Sequence, residues 1–212
     1  MDYGLIGEHL GHSYSPEIHK NIGDYSYVLK ELKPEEVIPF LKERDFKAIN
    51  VTIPYKQTVI PCLDEISESA AAIGAVNTIV NKDGKLYGYN TDFDGMKAAL
   101  KKGAIDPAHK KVLILGTGGT SRTANAVALS LGAETIYKVS RTEGPGVLTY
   151  EQATRDHKDT EIIINTTPAG MYPNVDSCPI DINEFPALEG VMDVIYNPLQ
   201  TLLIKAAKEK AI

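Results

Sequence analysis

The stretch Gly116-Thr117-Gly118-Gly119-Thr120-Ser121-Arg122 has the residue types that hold a phosphate group. Gly116 and Gly118 permit a tight turn whose backbone approaches a ligand closely, and a helix opening at Gly119 would aim its free N–H groups at an anion. Strand, glycine turn and helix are the context that a dinucleotide fingerprint requires. The third glycine position is Ser121, small enough for the helix still to pack on the strand. The alternative is an ordinary strand-to-helix turn that binds nothing. In an NAD site, an acidic residue about 20 positions past the first glycine accepts bonds from the ribose 2′-hydroxyl. Here that place is Ser140-Arg141-Thr142. A guanidinium suits a hydroxyl poorly but fits a 2′-phosphate by charge and bidentate geometry. NADP is therefore the expected cofactor. Glu143 is near enough in sequence to neutralise Arg141, and a solvated loop cation is the alternative for that residue.

Nothing comparable points to a metal. The five histidines show no HExxH spacing, and nothing near His9 and His12 completes a ligand set. A net charge of −6, with basic residues scattered, argues against a nucleic-acid or anionic-membrane partner. No apolar run approaches the ~18 residues of a membrane span. Met1 to Gly4 carries no targeting pattern. Cys62 and Cys178 form no CxxC pair, as expected in a reducing cytoplasm.

These residues need a frame. Tyr3 to Gly7, Ser26 to Leu32 and Phe46 to Ile53 read as strands, the last stopped by Pro54. Ser15-Pro16 opens a helix with Ser15 as N-cap, and Pro34 opens another. Tyr55-Lys56-Gln57 begins a further helix, and Ser67 to Ile73 one more. Val76 to Asn81 and Leu86 to Tyr89 form a hairpin across Asp83-Gly84. Asp92 caps a helix that runs to Leu100. Val112 to Leu115 is a buried strand, with a helix from Gly119 to Leu131. Strands follow at Thr135 to Ser140, Glu161 to Asn165 and Val191 to Ile195, and helices at Tyr150 to Thr154 and Leu202 to Lys210. Strands alternating with helices predict an α/β protein of two α/β domains, residues 1–100 and 101–212, meeting in the helix after Asp92. The second domain is Rossmann-like, and the first has a mixed or parallel sheet.

Four ordered blocks extend the reading: Gly7-x4-His12-Ser13-Tyr14-Ser15-Pro16, Asn50-Val51-Thr52-Ile53-Pro54-Tyr55-Lys56, Gly74-Ala75-Val76-Asn77-Thr78 and Asn90-Thr91-Asp92. The second half adds Ser140-Arg141-Thr142, Asn165-Thr166-Thr167-Pro168-x-Gly170-Met171 and Asp193-Val194-Ile195-Tyr196-Asn197-Pro198. Over essentially its whole length the chain resembles the shikimate dehydrogenase family. That resemblance implies reversible NADPH-dependent reduction of 3-dehydroshikimate to shikimate in aromatic amino-acid biosynthesis, by a cytoplasmic monomer or homodimer. It implies that Ser13 and Ser15 hold the substrate carboxylate and that Thr52, Asn77 and Asp92 bind its hydroxyls. Lys56 and Asp92 form the catalytic pair, and Tyr196 lies by the site. It also assigns Gly116, Gly118, Gly119, Thr120, Ser121, Arg122, Ser140, Arg141, Thr142, Thr166, Pro168 and Met171 to the cofactor.

The chemistry needs such groups. Hydride delivery to a ketone leaves developing negative charge on oxygen, which an ammonium can stabilise and protonate. Arg44 is the only arginine of the first half, so a substrate carboxylate must meet hydroxyls and backbone N–H groups. Plainer readings exist for each residue. Asp92 and Ser15 can be helix caps, Thr52 a strand residue, and Lys56 a solvated first-turn lysine.

The chain departs from the family's pattern at His9, Lys20 and Ser140, where Pro, Asn and Asn are usual. Family members also continue past the helix ending at Ile212, with a Gly-rich turn, a substrate-binding Gln and helices that return to the first domain. The resemblance thus implies a chain without that segment: a cut piece, one piece of the enzyme, or a shortened homologue. Loss of the Gln would cost on the order of 1 kcal/mol, and apolar surface on the first domain would be left for a partner chain to cover. The competing functions are an NADP-binding homologue with little or no turnover, and a dehydrogenase acting on quinate.

Overall fold

The computed structural model describes residues 1–11 and 13–212, so expectations that involve His12 lie outside the described residues. The chain forms two compact units, Met1–Asp92 and Phe93–Ile212.

In the first unit, β1 (Tyr3–Gly7), α1 (Ser15–Ile22), β2 (Tyr27–Glu31), α2 (Pro34–Glu43) and β3 (Ala48–Val51) alternate as parallel crossovers demand. β4 (Glu65–Ile66), α3 (Glu68–Ile73), β5 (Thr78–Lys82) and β6 (Lys85–Tyr89) complete a six-stranded sheet in the order β2-β1-β3-β5-β6-β4. β1 runs parallel to both neighbours, whereas β5 is antiparallel to β3 and β6, so the sheet is mixed. The reversal comes from Asp83 (φ 52°) and Gly84 (φ 81°), whose paired positive dihedrals make the tight hairpin turn that Asp-Gly favours. The core joins Ile6, Val37, Leu41, Ile49, Val59 and Ile79, all essentially buried. α1 takes no part in it: none of its eight residues is buried, and Ile18 and Ile22 are 56% and 67% exposed.

Two sequence expectations need correction here. No α-helix starts at Tyr55; the chain makes successive turns and a short 3-10 turn at Ile60–Cys62. Pro61 would remove a helical donor and strike the carbonyl four residues back, and the β-branched run Thr58-Val59-Ile60 adds crowding. Ser15 is not the N-cap of α1 either. It is the first helical residue, Tyr14 precedes it without a side-chain cap, and the Ser13 hydroxyl accepts the Ser15 N–H at 3.2 Å.

The second unit contains most of α4 (Thr91–Lys102), then β7 (Lys111–Leu115), α5 (Gly119–Ser130), β8 (Thr135–Ser140), β9 (Val147–Thr149), α6 (Tyr150–Asp156), β10 (Ile162–Asn165), β11 (Gly190–Asp193) and α7 (Leu202–Glu209). All five strands are parallel, in the order β11-β10-β7-β8-β9. Numbered within the unit this is 3-2-1-4-5 read from the β9 edge, the doubly wound nucleotide-binding order with the switch point at β7. β9 is short and was not expected; Gly146 (φ 68°) turns the chain into it. Val112, Leu113, Ile114 and Leu115 have no exposed surface, because helices cover both faces of a parallel sheet. Ile114→Ala should therefore cost about 2–5 kcal/mol, read as a lowered urea midpoint at unchanged m-value.

Candidate active site

Within the first unit the polar groups gather at the ends of β3 and β5 and the start of α4. β3 delivers Thr52, whose N–H bonds the Ile6 carbonyl at 3.0 Å and whose carbonyl receives the Tyr55 N–H at 2.9 Å. Gly7 makes this approach possible, since a Cβ there would come within 2.6 Å of the Thr52 methyl. The turns after β3 set Lys56, and its carbonyl accepts the Val76 N–H at 2.8 Å. That bond places Lys56 beside Asn77. The Asn77 side chain is buried, and its Oδ1 accepts the Thr91 N–H at 2.9 Å while its Nδ2 donates to Thr91 Oγ1 at 3.0 Å. The start of α4 is thereby tied to the end of the hairpin.

Lys56 Nζ stands 2.5 Å from Asp92 Oδ2. Asp92 is not the N-cap expected from sequence. Asn90 is: its Oδ1 accepts the Asp92 N–H at 3.1 Å while its Nδ2 holds the Ala75 carbonyl at 2.9 Å. With the cap supplied by Asn90, the Asp92 carboxylate is left to the ammonium. The Lys56 side chain is 19% exposed and that of Asp92 37%, so the pair faces solvent on one side only. A charge-assisted contact this short both orients the ammonium and shares its charge.

Ser13 and Ser15 lie together, hydroxyl to hydroxyl at 3.1 Å. Tyr27 donates to Asn50 Oδ1 at 2.6 Å, and burial pushes its phenol up to about 12 against the pull of a bond from Ser15. Asn50 Nδ2 in turn reaches Thr78 Oγ1 at 3.1 Å. Sequence reasoning missed Tyr27, Asn50 and Asn90 as parts of this assembly. Asn50 did leave a signal: it is a polar residue between Ile49 and Val51 on a central strand. Tyr27 left none.

In the second unit the glycine turn follows β7 directly. Gly116 has φ 107°, and a Cβ there would fall 2.8 Å from Thr166 Oγ1, which itself donates to the Leu115 carbonyl at 2.5 Å. Gly118 precedes α5 as its N-cap, and neither it nor Gly119 has any atom within 4 Å of where a Cβ would stand. Thr120 and Arg122 lie in the first turn of α5, and Ser121 faces inward. Ser121 Oγ is buried with no hydrogen-bond partner among the described residues.

Ser140, Arg141 and Thr142 stand at the end of β8, and no ion pair involving Arg141 occurs among the described residues. Glu143 does not pair with it. Glu143 Oε1 accepts from Gln152 Nε2 at 3.1 Å, and Gln152 Oε1 closes the capping box of α6 on the Thr149 N–H at 2.7 Å. Tyr150 lies near Arg141; burial raises its phenol, and the guanidinium charge works against that rise. A positively charged, unneutralised group at the end of β8, with open glycines at the α5 N-terminus, fits a dinucleotide carrying a 2′-phosphate. Thr166, Pro168 and Met171 follow β10; the Met171 N–H bonds the Pro168 carbonyl at 3.0 Å, and Gly170 has φ 94°.

Tyr196 stands 63% exposed between β11 and α7. The segment bearing it is fastened by Asp193, which accepts from Asn165 Nδ2 at 3.1 Å, the Ile195 N–H at 3.1 Å and Thr201 Oγ1 at 2.7 Å. Burial raises the Asp193 carboxyl, opposed by these three donors. Among the described residues no group of His, Cys, Asp and Glu has the makings of a metal site, and no helix is long and apolar enough to cross a membrane.

Comparison with known proteins bears on the same features. A family model described as the shikimate dehydrogenase substrate binding domain matches residues 5–79. Shikimate dehydrogenase (NADP(+)) of Clostridium beijerinckii is 40% identical across 97% of this chain and 82% of its own length. A chorismate mutase/shikimate 5-dehydrogenase fusion protein from Clostridium acetobutylicum superposes with a TM-score of 0.90 at 36% identity, over 99% of this chain and 82% of that one. The Thermus thermophilus shikimate 5-dehydrogenase, solved in complex with NADP(H) and shikimate, gives 0.86 at 30% identity over 100% and 85%. Identity of this extent, carried on the same two α/β folds, places the chain in the shikimate dehydrogenase family.

Proposed function

We propose that the protein is an NADP-dependent shikimate dehydrogenase that interconverts 3-dehydroshikimate and shikimate. In this reading the first unit binds substrate and the second binds the cofactor, and the protein works in the cytoplasm as a monomer or homodimer. The observation that carries it is the Lys56–Asp92 contact at 2.5 Å beside the buried, fully bonded Asn77.

NADPH, when bound, supplies the hydride that adds to the substrate carbonyl carbon. Negative charge then grows on the carbonyl oxygen, and the Lys56 ammonium stabilises it and donates the proton that completes the hydroxyl. In the oxidative direction the Lys56 amine takes that proton back. Asp92 holds Nζ in place and accepts from a neighbouring substrate hydroxyl; Thr52 and Asn77 bind the remaining hydroxyls. Ser13 and Ser15 meet the carboxylate with hydroxyl donors, in a unit where Arg44 is otherwise engaged with Asp64 and the Gly84 carbonyl. For the cofactor, Gly116, Gly118, Gly119, Thr120, Ser121 and Arg122 approach the pyrophosphate. Ser140, Arg141 and Thr142 take the 2′-phosphate, Thr166, Pro168 and Met171 complete the cofactor site, and Tyr196 lies by the substrate.

Spectrophotometric assay at 340 nm tests the proposal, with NADP and NAD each offered shikimate and quinate. NADP reduction on shikimate, exceeding that on quinate and that with NAD, is the expected result. Nucleotide binding without oxidation of either acid would instead identify a non-catalytic NADP-binding homologue.

A further inference from the structure

A single residue, Asn90, separates the end of β6 from the start of α4, and it is 3% exposed. Its Oδ1 accepts the Asp92 N–H at 3.1 Å, and its Nδ2 donates to the Ala75 carbonyl at 2.9 Å. That carbonyl belongs to the same peptide group as the Val76 N–H, which donates to the Lys56 carbonyl at 2.8 Å. A peptide unit is planar, so its two polar ends cannot shift independently. Asp92, Asn90, Ala75-Val76 and Lys56 are thus joined head to tail. Each amide donates to the next, an arrangement in which every bond polarises its neighbour. The contact of Lys56 Nζ with Asp92 Oδ2 at 2.5 Å closes this line into a ring.

We propose that Asn90 is a positioning residue for the proton transfer: its carboxamide fixes the backbones of Lys56 and Asp92 relative to each other, so that ammonium and carboxylate meet. The proposal rests on the reading of Lys56 and Asp92 as the catalytic pair. Lys56 lies in turns outside helix and strand, and a lysine carries its charge on a flexible four-carbon stem. Its backbone therefore needs an anchor beyond regular secondary structure. An amide suits the place because it both accepts and donates. Aspartate only accepts, and it would leave the carbonyl of the buried Ala75 without its donor. Serine caps a helix start as well as asparagine does, but it has no planar amide to reach two partners at once. Asn77 ties the neighbouring Thr91 N–H in a similar way, yet it is itself assigned to a substrate hydroxyl. Asn90 is enclosed, so it bears on the pair without touching a ligand.

Rates of shikimate oxidation by the whole chain test this, expressed per folded molecule as measured by circular dichroism. Asn90→Ala should lower kcat about 10- to 100-fold, the effect of misplacing a reacting group, with KM for NADP within about twofold of native. Asn90→Ser restores the helix cap, so its melting temperature should lie closer to native while kcat stays low. The decisive comparison is a double-mutant cycle with Lys56→Ala. Once the ammonium is gone there is no pair to align, so adding Asn90→Ala should change the residual rate by less than about twofold. Single-turnover measurement with enzyme in excess keeps these slow variants readable. Native kcat in either single variant of Asn90, or losses that multiply in the double variant, would overturn the proposal. Failure of both Asn90 variants to fold would overturn it too, since the carboxamide would then serve the fold and not the pair. Lys56→Ala with most of the native rate would overturn the catalytic pair together with the proposal. A native chain that oxidises no shikimate would overturn the function on which both rest.

Discussion

Lys56→Ala will lower kcat for shikimate oxidation by about 10²–10⁴-fold, the range that a positioned proton donor contributes, while the affinity for NADP stays at the native value. Lys56 is the cation bonded to Asp92 at 2.5 Å, and alanine leaves no group in its place to carry the proton. The split between chemistry and nucleotide binding is expected because every residue proposed for the cofactor belongs to the other unit. Truncation also leaves the Asp92 carboxylate without its counter-ion. That carboxylate is 37% exposed, so water replaces much of the lost bond and the melting temperature should fall only slightly. Steady-state kinetics with a nucleotide titration by fluorescence checks both halves. A variant that keeps most of the native rate would remove Lys56 from the chemistry.

The second large effect concerns the cofactor. Arg141→Ala should lower kcat/KM for NADP by about 10- to 100-fold, as expected on losing hydrogen bonds to a charged phosphate, with kcat/KM for NAD changed by no more than about twofold. Glu143 is occupied elsewhere: its carboxylate is bonded to Gln152, so the guanidinium keeps its charge for a ligand. NAD lacks the phosphate and should not register the change. Rates with both nucleotides, measured on native and variant protein, decide the matter. An equal loss with NAD would mean that Arg141 supports the strand end and does not read the phosphate.

Much of this was legible from residue order because the relevant physics is local. Val112 to Leu115 announces a strand covered on both faces, the glycines after it announce a turn, and Asp83-Gly84 announces a hairpin. The family blocks supplied the pairing of Lys56 with Asp92, which lie 36 residues apart. Errors arose where two local signals compete. Ser15 and Ser13 both resemble caps, and only the backbone at Tyr14 decides which is helical. Thr91-Asp92 after Asn90 presents three residues able to cap, and the buried bond from Asn90 to the Ala75 carbonyl selects the first. After Pro54 the apolar spacing favours a helix, but Pro61 denies it a backbone donor and the chain turns instead. Gln152, Asp193 and Tyr27 were invisible for another reason: each acts through a tertiary hydrogen bond, and nothing in the neighbouring sequence encodes that partner.

α1 carries a consequence for how affinity is divided. Eight residues are too few for a helix to persist unaided, since those under about 12 are marginal in water. Tertiary burial does not compensate, because none of its side chains is buried. Its order rests on Pro16 at the start and on His19, which stacks on Tyr27 and bonds Tyr25. Ser15 is the first residue of this helix, so the group assigned to the substrate carboxylate sits on a short helix with little buried surface to oppose local opening. Part of the free energy gained on engaging an anion there goes into suppressing that opening. The measured affinity is then the contact energy less an ordering penalty, and a substitution that stiffened α1 without touching the ligand would tighten binding.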